Sequence, residues 1–126
     1  MSGLTYDTGA LLAAEANDRA TWALHAVALR RGRRPVVPAG VLAQAWRGGP
    51  QASLSRLLRG CQVEELSGML ARAVGVACRR SSTTDIVDAS VVVGALARGD
   101  VVVTTDARDM RRIASGLRGS LRIHEV

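Results

Sequence analysis

Aspartates are the residues through which this chain could do chemistry. Asp88 and Asp106 lie in the stretch TTDIVDASVVVGALARGDVVVTTDARDM, residues 83–110, and Asp7 follows Leu4-Thr5-Tyr6 near the start. In the long stretch, Val87, Val91, Ala95 and Leu96 recur near helical spacing, which predicts a helix from Asp85 to Arg98. Thr83 or Thr84 would cap it, with Asp85 and Asp88 in a first turn whose dipole favours carboxylates. Gly99-Asp100 would stop it. Val101-Val102-Val103 then form an unbroken apolar run, as in a parallel strand covered on both faces. Thr104-Thr105-Asp106 would sit at that strand's C-terminal end, where open α/β sheets place ligands. Asp7 would close a first strand in the same position; taken alone, it could equally be no more than an N-cap.

Asp7, Asp88 and Asp106 are thus expected to meet. Packed together they would repel unless a cation lay between them. Mg²⁺ or Mn²⁺ suits oxygen ligands of this kind, and such ions activate water and stabilise the leaving oxygen in phosphodiester hydrolysis. Asp85 stands three residues before Asp88, and Asp109 three after Asp106, so each could support its neighbour from behind. The plainer reading of both is helix capping and surface charge.

Other chemistries find little support. The only histidines are His25 and His124, and neither has a serine, cysteine or acid at a useful spacing. His25 reads as a structural residue in a helix, and His124 as part of an edge strand. All 17 basic residues are arginine. Without lysine there is no P-loop and no lysine nucleophile. A phosphatase or receiver-like use of Asp7 as nucleophile lacks its lysine and a second acid beside Asp7. The aromatic residues are Tyr6, Trp22 and Trp46, too few for stacking platforms of the kind that bind single-stranded RNA. The formal net charge of +6 favours phosphate-bearing partners, although a coding bias toward arginine would produce the same excess. Cys61 and Cys78 lack zinc spacing and are expected to be buried free thiols. No segment has the length and apolarity of a membrane span, so a cytoplasmic protein is expected.

The elements that must position the acids alternate. Strands are expected at Leu4–Asp7, Pro35–Pro38, Cys61–Glu64, Val101–Val103 and Leu121–Val126. Helices are expected from Thr8, from Asp18 to Arg31, Ala39 to Trp46, Ser53 to Arg59, Ser67 to Arg80, Asp85 to Arg98, and Asp109 to Ser115. That order predicts a single three-layer α/β/α domain over residues 1–126, with a mostly parallel sheet of four to five short strands.

At these residues the chain resembles the PIN-domain ribonucleases, specifically the VapC toxins of type II toxin–antitoxin pairs. LTYDTGALLA resembles the family's first strand and first acid. DIVDASVVVGALARGDVVVTTDARDM resembles the segment bearing its third and fourth acids, the last in a Thr-(Ser/Thr)-Asp block. The resemblance covers nearly the whole chain. It implies a Mg²⁺- or Mn²⁺-dependent endoribonuclease with Asp7, Asp88 and Asp106 as catalytic metal ligands and Thr105 as a further supporting group. It implies structured RNA, tRNA or rRNA, as substrate. The implied partners are a small VapB-type antitoxin and a second copy of the chain, as a homodimer or within a toxin–antitoxin hetero-oligomer. One position departs: within PAGVLAQAWRG the family usually has a glutamate where this chain has Gln44. The amide can face a cation or hold a water but brings no charge, which weakens metal binding. Either Asp85 or another acid compensates and cleavage is sustained, or the chain is a weakened or non-cleaving protein that binds RNA and antitoxin.

Overall fold

A computed structural model describes residues 2–126. Five strands form one sheet: β1 (Leu4–Tyr6), β2 (Val36–Pro38), β3 (Gln62–Glu64), β4 (Val101–Thr104) and β5 (Arg122–Glu125). Their order is β3-β2-β1-β4-β5, and every neighbouring pair is parallel rather than mostly so. Seven helices connect them: α1 (Thr8–Glu15), α2 (Arg19–Arg30), α3 (Ala39–Ala45), α4 (Ala52–Arg59), α5 (Gly68–Ser81), α6 (Ile86–Arg98) and α7 (Ala107–Gly116).

Strand order decides where the site lies. From β1 the chain winds outward through β2 to β3, then returns to the other side of β1 for β4 and β5. Parallel crossovers are right-handed, so reversing the winding puts the helices of the two halves on opposite faces. Accordingly α5, α6 and α7 pack on one another, and α1 packs against β1, β4, α3 and α4. Both faces are covered, which is why all three residues of β1 are buried, together with Val102, Val103 and Thr104 of β4. The reversal falls between β1 and β4, and the crevice at their C-terminal ends is the switch point of the sheet.

The core is built from Tyr6, Leu11, Val37, Val41, Leu54, Leu57, Val91, Val92, Met110 and Ile113, all essentially inaccessible to solvent. Helix α6 is buried over a broader arc than its spacing predicts: Ala89, Ser90, Val92 and Gly94 are covered as well as Val91 and Ala95. It lies between the sheet and the helices α3, α5 and α7, so no wide face is left for water. A smaller cluster of Val74, Ala77 and Ala89 joins α5 to α6.

Two helix starts differ from expectation. Asp85, not a threonine, caps α6, its Oδ1 accepting from the Asp88 amide at 3.0 Å. Thr83 instead accepts from the Asp85 amide, one step earlier. Asp106 likewise caps α7, which therefore begins at Ala107, before Asp109. Carboxylates accept amide hydrogens more strongly than hydroxyls do, and both sit where the helix dipole favours them. Cys61 is buried, whereas Cys78 is only half-buried, contrary to expectation, because it lies on the partly open side of α5.

Candidate active site

The switch-point crevice is where the acids gather. Asp7 follows β1 directly and is 4% exposed. One carboxylate oxygen, Oδ1, accepts from the Ala10 amide at 2.8 Å, making Asp7 the N-cap of α1. The other, Oδ2, accepts from the hydroxyl of Thr104 at the end of β4. Capping and site geometry are therefore not alternatives here: the cap bond uses one oxygen and aims the second across the crevice.

Thr104 is the residue that sequence reasoning missed. It is completely buried, donates to Asp7, and accepts from the Asp106 backbone amide at 2.8 Å. One hydroxyl thus ties the acid after β1 to the acid after β4. Its position at the strand end was visible in the sequence, but only the pairing Tyr6↔Val103 shows that it faces Asp7. Thr105 plays a different part. It is exposed, and its side chain lies so close over Gly9 that a Cβ there would stand 1.9 Å from Oγ1. Gly9 is required for the loop after β4 to close down on the start of α1.

Asp88 lies in the first turn of α6 and is half-buried. Its carboxyl is pushed up to about 7, first by burial, then by the negative charges of Asp85, Asp7 and Asp106. Burial also raises Asp7, with Asp106 adding to the rise, while bonds from Thr104, Ala10 and Gly9 pull the other way. Asp7, Asp88 and Asp106 therefore share one field. Asp85 caps α6 and repels Asp88. The Asp109 backbone amide donates to Asp106 Oδ1 at 3.4 Å, but its carboxylate turns outward into an exposed pairing with Arg112 at 3.8 Å.

Gln44 reaches this edge from α3. The hydroxyl of Thr8, next to Asp7, donates to its Oε1 at 2.5 Å. The oxygen expected to face a cation is thus taken by a neighbour, and the free end of the amide is a donor. His25 makes no hydrogen bond to the acids; it is buried at 3% exposure, with Nδ1 2.8 Å from the Tyr6 hydroxyl. This is the structural role its position predicts. His124 lies on β5, the exposed edge strand.

The donor set suits a hard divalent cation. Among the described residues no three carboxylate, imidazole or thiol groups stand close enough together to form a cage that could hold a metal ion. Mg²⁺ seldom uses such a cage; it keeps several waters and takes one or two carboxylates. Asp7 and Asp88, raised chiefly by burial and further by neighbouring negative charge, are a carboxylate pair of the kind that preference calls for.

No protein-family model matches the chain, and a search of curated proteins finds no relative. Solved structures do match. A chain in the crystal structure of VapBC2 from Rickettsia felis bound to a promoter DNA fragment has a TM-score of 0.72 at 13% identity, over 98% of both chains. A chain of DNA-bound VapBC from Salmonella typhimurium has a TM-score of 0.71 at 17% identity, over 99% of this chain and 98% of that one. PAE2754 from Pyrobaculum aerophilum has a TM-score of 0.63 at 19% identity, over 96% of this chain and 90% of that one. At such identities the likeness is one of fold, and the fold is the PIN-like α/β architecture.

Proposed function

We propose that this chain is the toxin of a type II toxin–antitoxin pair and acts as a Mg²⁺- or Mn²⁺-dependent endoribonuclease on structured RNA such as tRNA or rRNA. The observation that carries the reading is the placement of Asp7, Asp88 and Asp106 at the switch point of a PIN-like sheet, where the charges of Asp7 and Asp106 add to the burial that raises Asp88, and Asp106 adds to the burial that raises Asp7. A divalent ion bound there would supply charge neutralisation and an activated water for phosphodiester hydrolysis.

The chain's own residues do the positioning. Asp7, Asp88 and Asp106 present oxygens from three separate elements. Thr104 and the α1 cap hold Asp7 in one orientation, so its oxygens need not be ordered when substrate arrives. Gln44 offers its amide N–H groups at the rim, where a phosphate oxygen could accept them. The partners in this reading are the RNA, a VapB-type antitoxin that covers the acidic crevice, and a second copy of the chain. The two VapBC structures of the same fold support the antitoxin partner.

Purified protein with Mn²⁺ should cut structured RNA, and Asp7→Ala or Asp88→Asn should each abolish the cut. Cleavage that survives both changes would overturn the assignment. A second reading, binding without turnover, is favoured by one observation: Gln44 contributes no charge and its oxygen is occupied by Thr8. Gln44→Glu separates the two. A large gain in cleavage identifies a site crippled at that position; unchanged cleavage shows that position 44 does not limit the rate.

A further inference from the structure

In a parallel sheet every strand begins at the same edge, and here that edge is basic. The segment before β2 carries Arg31, Arg33 and Arg34; β3 is preceded by Arg59, β4 by Arg98, and β5 by Arg118, with Arg122 as its first residue. Asp100, the one acid in these segments, is already neutralised. Its Oδ2 accepts from Arg98 Nε at 2.9 Å and from Thr5 Oγ1 at 2.8 Å. Arg33, Arg34, Arg118 and Arg122 have no carboxylate partner among the described residues.

The arginines surround shaped space. A cleft of about 490 Å³ opens between Gly32, Arg33, Arg34, Gln62, Arg98 and Asp100, within the range of ligand sites. A separate hollow of about 400 Å³, by α7 and the start of β5, is bordered by Arg111 and Arg118. Two of the cleft's guanidinium groups are held in place. Arg98 donates to Asp100, to Thr5 and to Glu64, and Arg34 donates to the Cys61 carbonyl at 2.5 Å. Arginine near a helix C-terminus also serves the dipole, and that accounts for Arg59 and Arg98. It does not account for Arg33 and Arg118, which lie beyond the helices and whose side chains make no hydrogen bond or ion pair among the described residues.

The acidic crevice does not cancel this charge. Strand β4 has four residues, which at ~3.3 Å each separates the two edges by roughly 13 Å, beyond the ~8 Å over which physiological salt screens exposed charges. The domain is therefore acidic at the strand ends and basic at the strand starts, with each field acting on its own surroundings.

We infer that the strand-start edge is a second nucleic-acid surface, independent of metal, in which Arg33 and Arg34 take backbone phosphates at the cleft whose far wall is the Arg98–Asp100 pair. Planar guanidinium groups fixed at a cleft wall suit phosphodiester oxygens, and unpaired ones bring net positive charge. The inference stands apart from the nuclease reading, because binding there needs neither Asp88 nor a cation.

The test is fluorescence anisotropy with a labelled RNA hairpin in EDTA, across a salt series. The wild-type chain should bind. Arg33→Glu with Arg34→Glu should weaken binding by at least ~10-fold and flatten the plot of log K against log salt by about two, since each phosphate contact contributes ~0.9. Arg33→Glu alone, which breaks no bond of the fold, should flatten it by about one. Duplex DNA of the same sequence shows which nucleic acid the edge takes; binding of either supports a phosphate-reading surface. Absence of wild-type binding, unchanged binding in both variants, or an equal loss in Arg72→Glu with Arg79→Glu on exposed α5 would overturn it. Failure of the nuclease reading would appear differently, as binding in EDTA without cleavage in Mn²⁺.

Discussion

Replacing Asp88 with asparagine should make the metal-free protein more stable while destroying its proposed activity. The Asp88 carboxyl rises from 3.8 to about 7 in the folded chain because it is half-buried and faces Asp85, Asp7 and Asp106. An acid raised on folding costs stability above its unfolded value, and the cost grows from pH 3.8 to about 7, then levels off. At face value that rise is ~4 kcal/mol, but water screens a half-exposed group, and ~1–2 kcal/mol is the appropriate scale. Asparagine removes the charge and can donate to Asp85. It also forfeits a favourable first-turn charge worth ~0.5 kcal/mol, leaving a net gain of ~1 kcal/mol. For a chain of this size that corresponds to a Tm increase of ~3–5 °C. Thermal unfolding in EDTA at about pH 7.5 reads it directly. At about pH 5 the gain should shrink by more than half, because the folded wild-type carboxyl is then protonated. Mn²⁺ should raise the wild-type Tm at the higher pH and have little effect on the variant. An Asp88→Asn protein with native circular dichroism that melts at or below the metal-free wild type would show that the acids do not repel as their placement implies.

The remaining predictions concern the supports. Thr104→Val keeps the shape but removes the bond that lowers the Asp7 carboxyl, so the acid limb of the pH–rate profile should move to higher pH; stability should fall by ~1–2 kcal/mol in denaturant titration. Gly9→Ala places a methyl group into Thr105 and should lower cleavage and Tm together, with Thr105→Ala in the same chain recovering part of the Tm because it removes the hydroxyl from the crowded contact. Burial lowers the His25 imidazole below 6.5, so the unfolded chain takes up a proton that the folded one resists. The stability difference between wild type and His25→Gln should therefore fall as pH drops below ~6.5, measured by urea midpoints.

Much of this protein is written locally along the chain. The alternation of short Val-rich runs with helical spacing specified a parallel α/β sheet, because strands buried on both faces tolerate no polar break. Gly99 marked the end of α6 by its need for positive φ, observed at +71°, and Asp18 marked the start of α2. His25 could be read as structural because nothing near it in sequence supplied a partner. Asp7, Asp88 and Asp106 could be singled out for the same local reason, as acids at strand ends and a helix start.

Tertiary structure decided the rest, because it depends on which distant segments become neighbours. Strand order placed β4 beside β1, and only that pairing turned Thr104 toward Asp7, so the hydroxyl that joins the two acids could not be found from spacing. The α3 packing brought Gln44 to Thr8 and turned an expected cation-facing oxygen into a hydrogen-bond acceptor. Arginines scattered through the sequence gathered at one edge for an equally global reason: parallel strands all begin there, so charges separated by many residues in the chain share one surface in space.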